Sequence, residues 1–159
     1  MRAWGASASR AMGSGQADAM ERTEIKISNQ LAELESVREW VEGFGAAHRL
    51  PTRVMTNLLV SFDEILNNLI SYGYSDERDH EIWLRMVLGE NEVWAEVEDD
   101  GVPFDPLAAP SPALNGGVGE RPVGGLGIHF LRTLNDEVTY GRQENRNRLR
   151  FRNRVVDAP

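Results

Sequence analysis

Apolar residues along the chain switch between two spacings. In TEIKIS, residues 23–28, Ile25 and Ile27 share one face, the alternation of a short strand. From Leu31 to about His48 the spacing lengthens. Leu31, Leu34, Val37, Val41 and Phe44 recur at steps of three or four, which predicts a helix. Leu50-Pro51 interrupts it. Pro51 suits the first position of a second helix, which runs to about Tyr72 with Gly73 as its stop. Alternation returns in HEIWLRMVL, where Ile82, Leu84, Met86 and Leu88 share a face. It continues in EVWAEVED, where Val93, Ala95 and Val97 do, and Gly89-Glu90-Asn91 between them predicts a hairpin turn. Residues 100–125 then lose periodicity and hold five prolines, a loop length typical of lids and binding loops. LGIHFLRTLND predicts a third helix, and DEVTYGR and NRLRFRNRVV a closing pair of strands. Hairpin-linked strands interspersed with helices predict an α+β fold: a two-layer sandwich of a mixed, mostly antiparallel sheet with helices on one face.

Composition narrows the picture modestly. A chain of 159 residues predicts one domain with a single sizeable core. Its net charge of -8 argues against nucleic acid as a partner. No run approaches the roughly 18 apolar residues of a membrane span, so no membrane association is expected. The absence of cysteine excludes disulfides, thiolate catalysis and Cys-based metal sites, and fits a cytoplasmic protein. The opening MRAWGASASRAMGSGQADAM is rich in Ala, Ser and Gly and has no continuous apolar stretch. It predicts a disordered tail over 1–21, preceding a domain over 22–156, and not a secretory signal. Met12 or Met20 reads as an alternative start, with a transit-type peptide the lesser reading.

Three polar features break the pattern. In SFDEILNNLISYGY, residues 61–74, the helix buries Leu58, Phe62, Ile65, Leu66 and Leu69 on one side. Ser61, Glu64, Asn67, Asn68 and Ser71 fall on the other. Solvated helix faces carry Lys, Arg and Glu more than paired Asn, which is a poor helix former. An Asn amide oxygen can ligate Mg²⁺, and a carboxylate one turn away can accept a proton. The plain alternative is a solvated face. In VEDDGVPFDP, residues 97–106, Asp99 is in phase with Ala95 and Val97. It should point inward, where a carboxylate needs a partner such as a purine amino group; the alternative is a strand-ending Asp-Gly turn. In VGGLGI, residues 123–128, glycines at a helix start let backbone amides approach a phosphate, or serve as a hinge.

EILNN with its trailing SYGY, EDDGVPFDP, and GGLGIHFLRTLNDEVTYGR occur in a fixed order. Together they resemble the Bergerat (GHKL) ATP-binding fold, and within it the anti-sigma-factor serine/threonine kinases of the RsbW and SpoIIAB type. The resemblance spans about residues 22–155. It implies a kinase that uses ATP and Mg²⁺ in a partner-switching module. Such a kinase phosphorylates a STAS-domain anti-anti-sigma protein on Ser or Thr and sequesters a sigma factor or similar target. The alternative it leaves is a non-catalytic ATP-binding adaptor that only sequesters. By the resemblance Glu64 is the general base and Asn68 holds Mg²⁺. Asp99 accepts from the adenine amino group over a turn kept open by Gly101, and Gly125, Leu126 and Gly127 close over the phosphates. Asn67 and Tyr72 fall at cofactor-side positions, Asn67 either joining the polar network or facing solvent. Related kinases commonly dimerise, so a homodimer is within the expectation. Pro103 stands where many Bergerat proteins have glycine, which implies a stiffer hinge for a lid over about 100–125. Arg121, the lone Arg of that lid, reads more readily as solvated than as a phosphate partner.

The remaining features read more plainly. His48, His80 and His129 lack metal spacing, and His129 reads as packed in its helix. No segment resembles the helical hairpin that carries the phospho-accepting histidine of sensor kinases. The Arg residues at 146, 148, 150, 152 and 154 alternate along the last strand as a basic stripe, either solvated or an interaction surface. The four Trp are scattered and read as core or rim.

Overall fold

A computed structural model of the chain describes residues 20–105 and 125–156, with the backbone alone for 125–129. Alternating residues make β1 (Glu21–Ser28), β2 (Glu81–Leu88), β3 (Glu92–Asp99), β4 (Glu137–Gln143) and β5 (Arg146–Arg154). Stretches with apolar residues three or four apart make α1 (Leu34–Ala47, after a 3₁₀ turn at Leu31–Glu33), α2 (Thr52–Tyr72) and α3 (Gly125–Leu134). β1 begins at Glu21, two residues earlier than the TEIKIS pattern implies, and Pro51 is the cap of α2 and not its first helical residue. Among the described residues the strands form one sheet in the order β1-β2-β3-β5-β4, every pairing antiparallel. The expected mixed character is absent from these pairings.

The core lies between the helices and one sheet face. Ile27, Ile82, Leu84, Met86, Val93, Ala95, Val97 and Phe151 meet Val37, Val41 and Phe44 of α1 and Val54, Leu58, Phe62 and Leu66 of α2. Phe62 sits edge-on to both Trp40 and Phe151, tying α1, α2 and β5 together. Each fully buried side chain of this size contributes about 1.5–3 kcal/mol. Gly45 lets α1 and α2 approach closely, since a Cβ there would fall 1.9 Å from Met55 Sδ.

The opposite sheet face is built from charges. β3 and β5 pair so that Glu98 faces Arg148 and Glu96 faces Arg150. Glu96, only 2% exposed, is gripped by Arg85 and Arg150, and Arg85 also reaches Glu24 and Glu98. Arg152 bridges Glu92 and Glu137, while its guanidinium lies over Trp94. The basic stripe is therefore neutralised within the sheet, for Arg146 through Arg152, by acids of β3 and β4. Its reading as a docking face for an acidic partner loses its basis. Such pairs roughly offset their own desolvation, so their main effect is on register. A one-residue slip would turn every Arg of β5 into the core.

A second buried polar group joins the layers from inside. Asn57 of α2 donates to the Leu134 carbonyl and to Asn153 Oδ1, both at 2.8 Å. Asn153 donates to Asn135 Oδ1 at 2.6 Å, and Asn135 to Ser61 Oγ at 2.8 Å. All four residues are buried. Asn153→Ala would orphan the Asn135 oxygen and open a void. The expected cost is about 2–4 kcal/mol, read as a lower urea midpoint at unchanged slope. Ser61→Ala, which removes one neutral acceptor, should cost about 1 kcal/mol.

Candidate functional site

Asn57, Ser61, Glu64 and Asn68 form one stripe along α2, within about 60° of arc at about 100° per residue. The first half of the stripe is structural. Ser61, expected on the solvent side, is only 1% exposed, because Asn135 at the end of α3 docks on it. Glu64 and Asn68 continue the stripe half-buried, and their side chains make no hydrogen bond or ion pair with the described residues. Asn67 lies about 100° further round; its amide is spent on the Asp63 carbonyl one turn back, at 2.8 Å. Tyr72, one turn beyond Asn68, is 64% exposed. The fold thus groups Glu64 with Asn68, leaves Tyr72 at the open end and turns Asn67 aside.

Asp99 ends β3 on the inner sheet face, as its phase predicts, and is 6% exposed. Its Oδ1 accepts from Gly101 N–H at 2.8 Å and Asn147 Nδ2 at 2.9 Å, while Oδ2 accepts nothing from the described residues. Burial holds the carboxyl above its ordinary range, and the two donors pull it back. The loop that follows turns onto the end of α2. Val102 N–H donates to the Gly73 carbonyl at 2.8 Å, and a Cβ on Gly101 would sit 2.4 Å from that oxygen. Gly101 is required for this approach, and through it the Glu64–Asn68 helix and the Asp99 turn become one locus.

Asn147 escaped the reading of the sequence. It lies directly across from Asp99 in the β3–β5 register. The available signal was phase. Asn147 and Asn153 alternate with the Arg stripe and so share the inward face with Leu149 and Phe151, where an amide needs partners.

Tyr74 and His80 border the same turn. Their rings stack at 4.2 Å between centroids. His80 is held by Asp76 at 2.7 Å through Nε2 and Asp100 at 3.0 Å through Nδ1. Asp76 and then Asp100 raise the imidazole above its ordinary value, and His80 holds the Asp76 carboxyl down to about 2. The Tyr74 hydroxyl is buried without a hydrogen-bond partner among the described residues, and burial, then Asp99 and Asp100, push the phenol well up. His80 is thus a structural clasp across the turn, consistent with its lack of metal spacing.

Gly125, Leu126 and Gly127 lie in the first turn of α3. Arg121, most of the expected lid and the N-terminal tail lie outside the described residues, as does the side chain of His129. Among the described residues no cluster of three His, Cys, Asp or Glu side chains is placed to hold a metal, and no helix is long and apolar enough to cross a membrane.

Comparison with known proteins agrees with this geometry. The family model of the histidine kinase-like ATPase domain matches residues 27–153. A serine/threonine-protein kinase, BtrW of Bordetella bronchiseptica, is 28% identical over 110 residues, covering 69% of this chain and 78% of the relative. The crystal structure of the RsbU and RsbW domains of Rv1364c from Mycobacterium tuberculosis superposes with a TM-score of 0.63 at 14% identity. That match covers 85% of this chain and 32% of the other, and it bears on the fold alone.

Two outcomes test the local architecture. Gly101→Ala should separate the turn from Gly73 and cost about 2–4 kcal/mol, measurable by urea unfolding. The His80 clasp has a signed pH dependence. Its folded value is raised, so its stabilisation is full below the unfolded value of 6.5 and is lost as pH rises through the folded value. Asp76 is depressed, so its share is present above 3.8 and is lost as pH falls toward about 2. Unfolding midpoints between pH 5 and 8.5 should therefore decline on the alkaline side, and His80→Gln should flatten that decline.

Proposed function

The chain belongs to the histidine kinase-like ATPase domain family, with the Bergerat fold of the RsbW-type kinases. On that premise we propose that it is an ATP-dependent protein serine/threonine kinase of a partner-switching module, formed by a single domain over 22–156 with a lid over about 100–125. One observation carries the reading. Asp99 is buried with one oxygen held and the other open, and it is fastened through Gly73 to the helix whose Glu64 and Asn68 have no partner among the described residues.

The donor set suits a Mg-nucleotide. The open oxygen of Asp99 accepts the adenine amino group, and the orphan Tyr74 hydroxyl borders the same place. The Asn68 amide oxygen is a hard ligand for Mg²⁺. One side-chain oxygen is a weak site by itself, so water and phosphate oxygens would have to supply the remaining ligands. When bound, the ion neutralises triphosphate charge. Backbone amides at Gly125, Leu126 and Gly127 favour the phosphates at the start of α3. Tyr72 and Asn67 stand at the rim. Glu64 takes the proton of the incoming Ser or Thr hydroxyl. Phosphoryl transfer asks the protein chiefly for positioning and charge neutralisation, so Glu64 acts on rate more than on nucleotide affinity. BtrW is named a serine/threonine-protein kinase, which supports this class of acceptor. The acceptor protein is a STAS-domain antagonist, and the sequestered target a sigma factor or its equivalent.

The experiment combines the protein, γ-labelled ATP, Mg²⁺ and the STAS-domain protein encoded nearest to it. Label should appear on a Ser or Thr of that partner. Glu64→Ala should keep ATP affinity and lose about 10²–10⁴ in rate. Asp99→Asn should abolish ATP binding while leaving the fold at least as stable at pH 7, because a neutral amide replaces a buried carboxylate. Equal loss of ATP affinity in both variants would remove the base role from Glu64. No label, with ATP and partner both bound, would make the protein a sequestering module.

A further inference from the structure

Two buried hydrogen bonds meet Asp99 on the same oxygen, and one comes from a side chain whose orientation is fixed by further partners. Asn147 Oδ1 accepts from Tyr140 O–H at 2.5 Å and from Arg142 Nη1 at 2.9 Å. A guanidinium cannot accept, so the amide face turned toward Arg142 must be its oxygen. Nδ2 is thereby aimed the other way, donating to Asp99 Oδ1 at 2.9 Å and to the Val102 carbonyl at 3.0 Å. Arg142 also donates to the Gly101 carbonyl at 3.1 Å. The amide cannot flip without setting N–H against N–H at Arg142 and leaving the two oxygens of Asp99 and Val102 facing a third.

We infer that Asn147, locked by Tyr140 and Arg142, is the positioning residue that keeps Asp99 a hydrogen-bond acceptor and so sets a preference for 6-amino over 6-oxo purines. The inference rests on the nucleotide reading of Asp99 given above. With Gly101 N–H and Asn147 Nδ2 both directed at Oδ1, a proton on Asp99 has room only on Oδ2. Oδ2 is the oxygen that would meet the base. Ionised, it accepts from an exocyclic amino group and repels a carbonyl in the same place. Protonated, it donates to a carbonyl and loses the match to the amine. Which form prevails depends on a balance across four elements. Burial and the neighbouring Asp100 favour the proton. Arg142 of β4, Gly101 N–H and Asn147 of β5 oppose it. Tyr74 faces the same turn from beyond α2, and His80 from before β2 acts through Asp100. Asn147 is the side-chain donor to Asp99 in this balance, and it can be removed without removing a charge.

The test measures equilibrium dissociation constants of ATP and ITP for the full chain, wild type, Asn147→Leu and Asn147→Asp, between pH 6 and 8.5. Circular dichroism and thermal unfolding accompany each variant. The wild type should prefer ATP by about thirtyfold or more. Asn147→Leu removes a donor that opposes the proton on Asp99, so it should shrink that preference most at the acid end of the range and restore part of it as pH rises. Asn147→Asp keeps acceptors for Tyr140 and Arg142, and at pH 6 a proton shared between the two carboxylates stands in for the amide N–H. It should therefore keep the preference at pH 6 and lose it toward pH 8.5, where the two ionised carboxylates repel and Asp99 leaves the orientation that Asn147 held, the opposite slope. If Asn147→Leu does not fold, the slope of Asn147→Asp decides. Equal weakening of both nucleotides at every pH, with the ratio unchanged, would mean that Asn147 only supports the fold and would overturn the inference. A wild type that binds ATP and ITP equally would overturn it as well. A wild type that binds neither would strike the nucleotide reading itself and the inference with it.

Discussion

The carbonyl of Gly73 is the joint on which the site depends. It ends α2, accepts from Val102 N–H and lies where Gly101 alone among residues can pass. The carboxylate of Asp99 is oriented by the amide of that same glycine. One backbone contact therefore fixes the distance between the helix that carries Glu64 and Asn68 and the strand end that carries Asp99. The His80 clasp, with Asp76 on one side and Asp100 on the other, holds the intervening loop against that joint.

Polarity is buried in this protein in three distinct ways. On the outer sheet face, Glu96 and Glu98 are matched by Arg85 and the β5 arginines, so the charges are neutralised where they stand. Between the layers, the Asn57–Asn153–Asn135–Ser61 chain satisfies its own donors and acceptors and fixes the end of α3 against α2. At Asp99 the satisfaction is partial: one oxygen is held and burial still penalises the charge. Apart from the Tyr74 hydroxyl at the same turn, the buried polar groups of the sheet face and of the asparagine chain are served within the fold, whereas this carboxylate is half-served. The same contrast separates the two halves of the α2 stripe, where Asn57 and Ser61 are consumed by the fold and Glu64 and Asn68 have no partner among the described residues.

Much of this was legible in the chain. Alternation in HEIWLRMVL and EVWAEVED gave strands that coincide with β2 and β3, and the phase of Asp99 with Ala95 and Val97 placed its carboxylate inward correctly. What failed did so for lack of partners in view. Ser61 looked solvent-facing because a helical wheel knows the core behind a helix and nothing of a second helix laid along its flank. The arginines of β5 read as either solvated or an interaction surface because their counter-charges, Glu96 and Glu98, lie some fifty residues earlier, across a strand pairing. Asn147 was passed over although its phase with Leu149 and Phe151 turned it inward; only the register, which sets it opposite Asp99, shows which partner it meets.

By itself, then, the sequence determined what depends on local periodicity and side-chain chemistry: the order of strands and helices, the inward aspect of Asp99, and the family through the EILNN, EDDG and GGLGI segments. The tertiary structure alone decided what depends on pairing between distant segments: which polar groups spend their hydrogen bonds on the fold and which keep them. The physical reason is that the free energy of a buried polar atom is set by the neighbour that meets it. In this chain those neighbours are brought together by the β3–β5 register, the docking of α3 on α2, and the contact of Gly101 with Gly73.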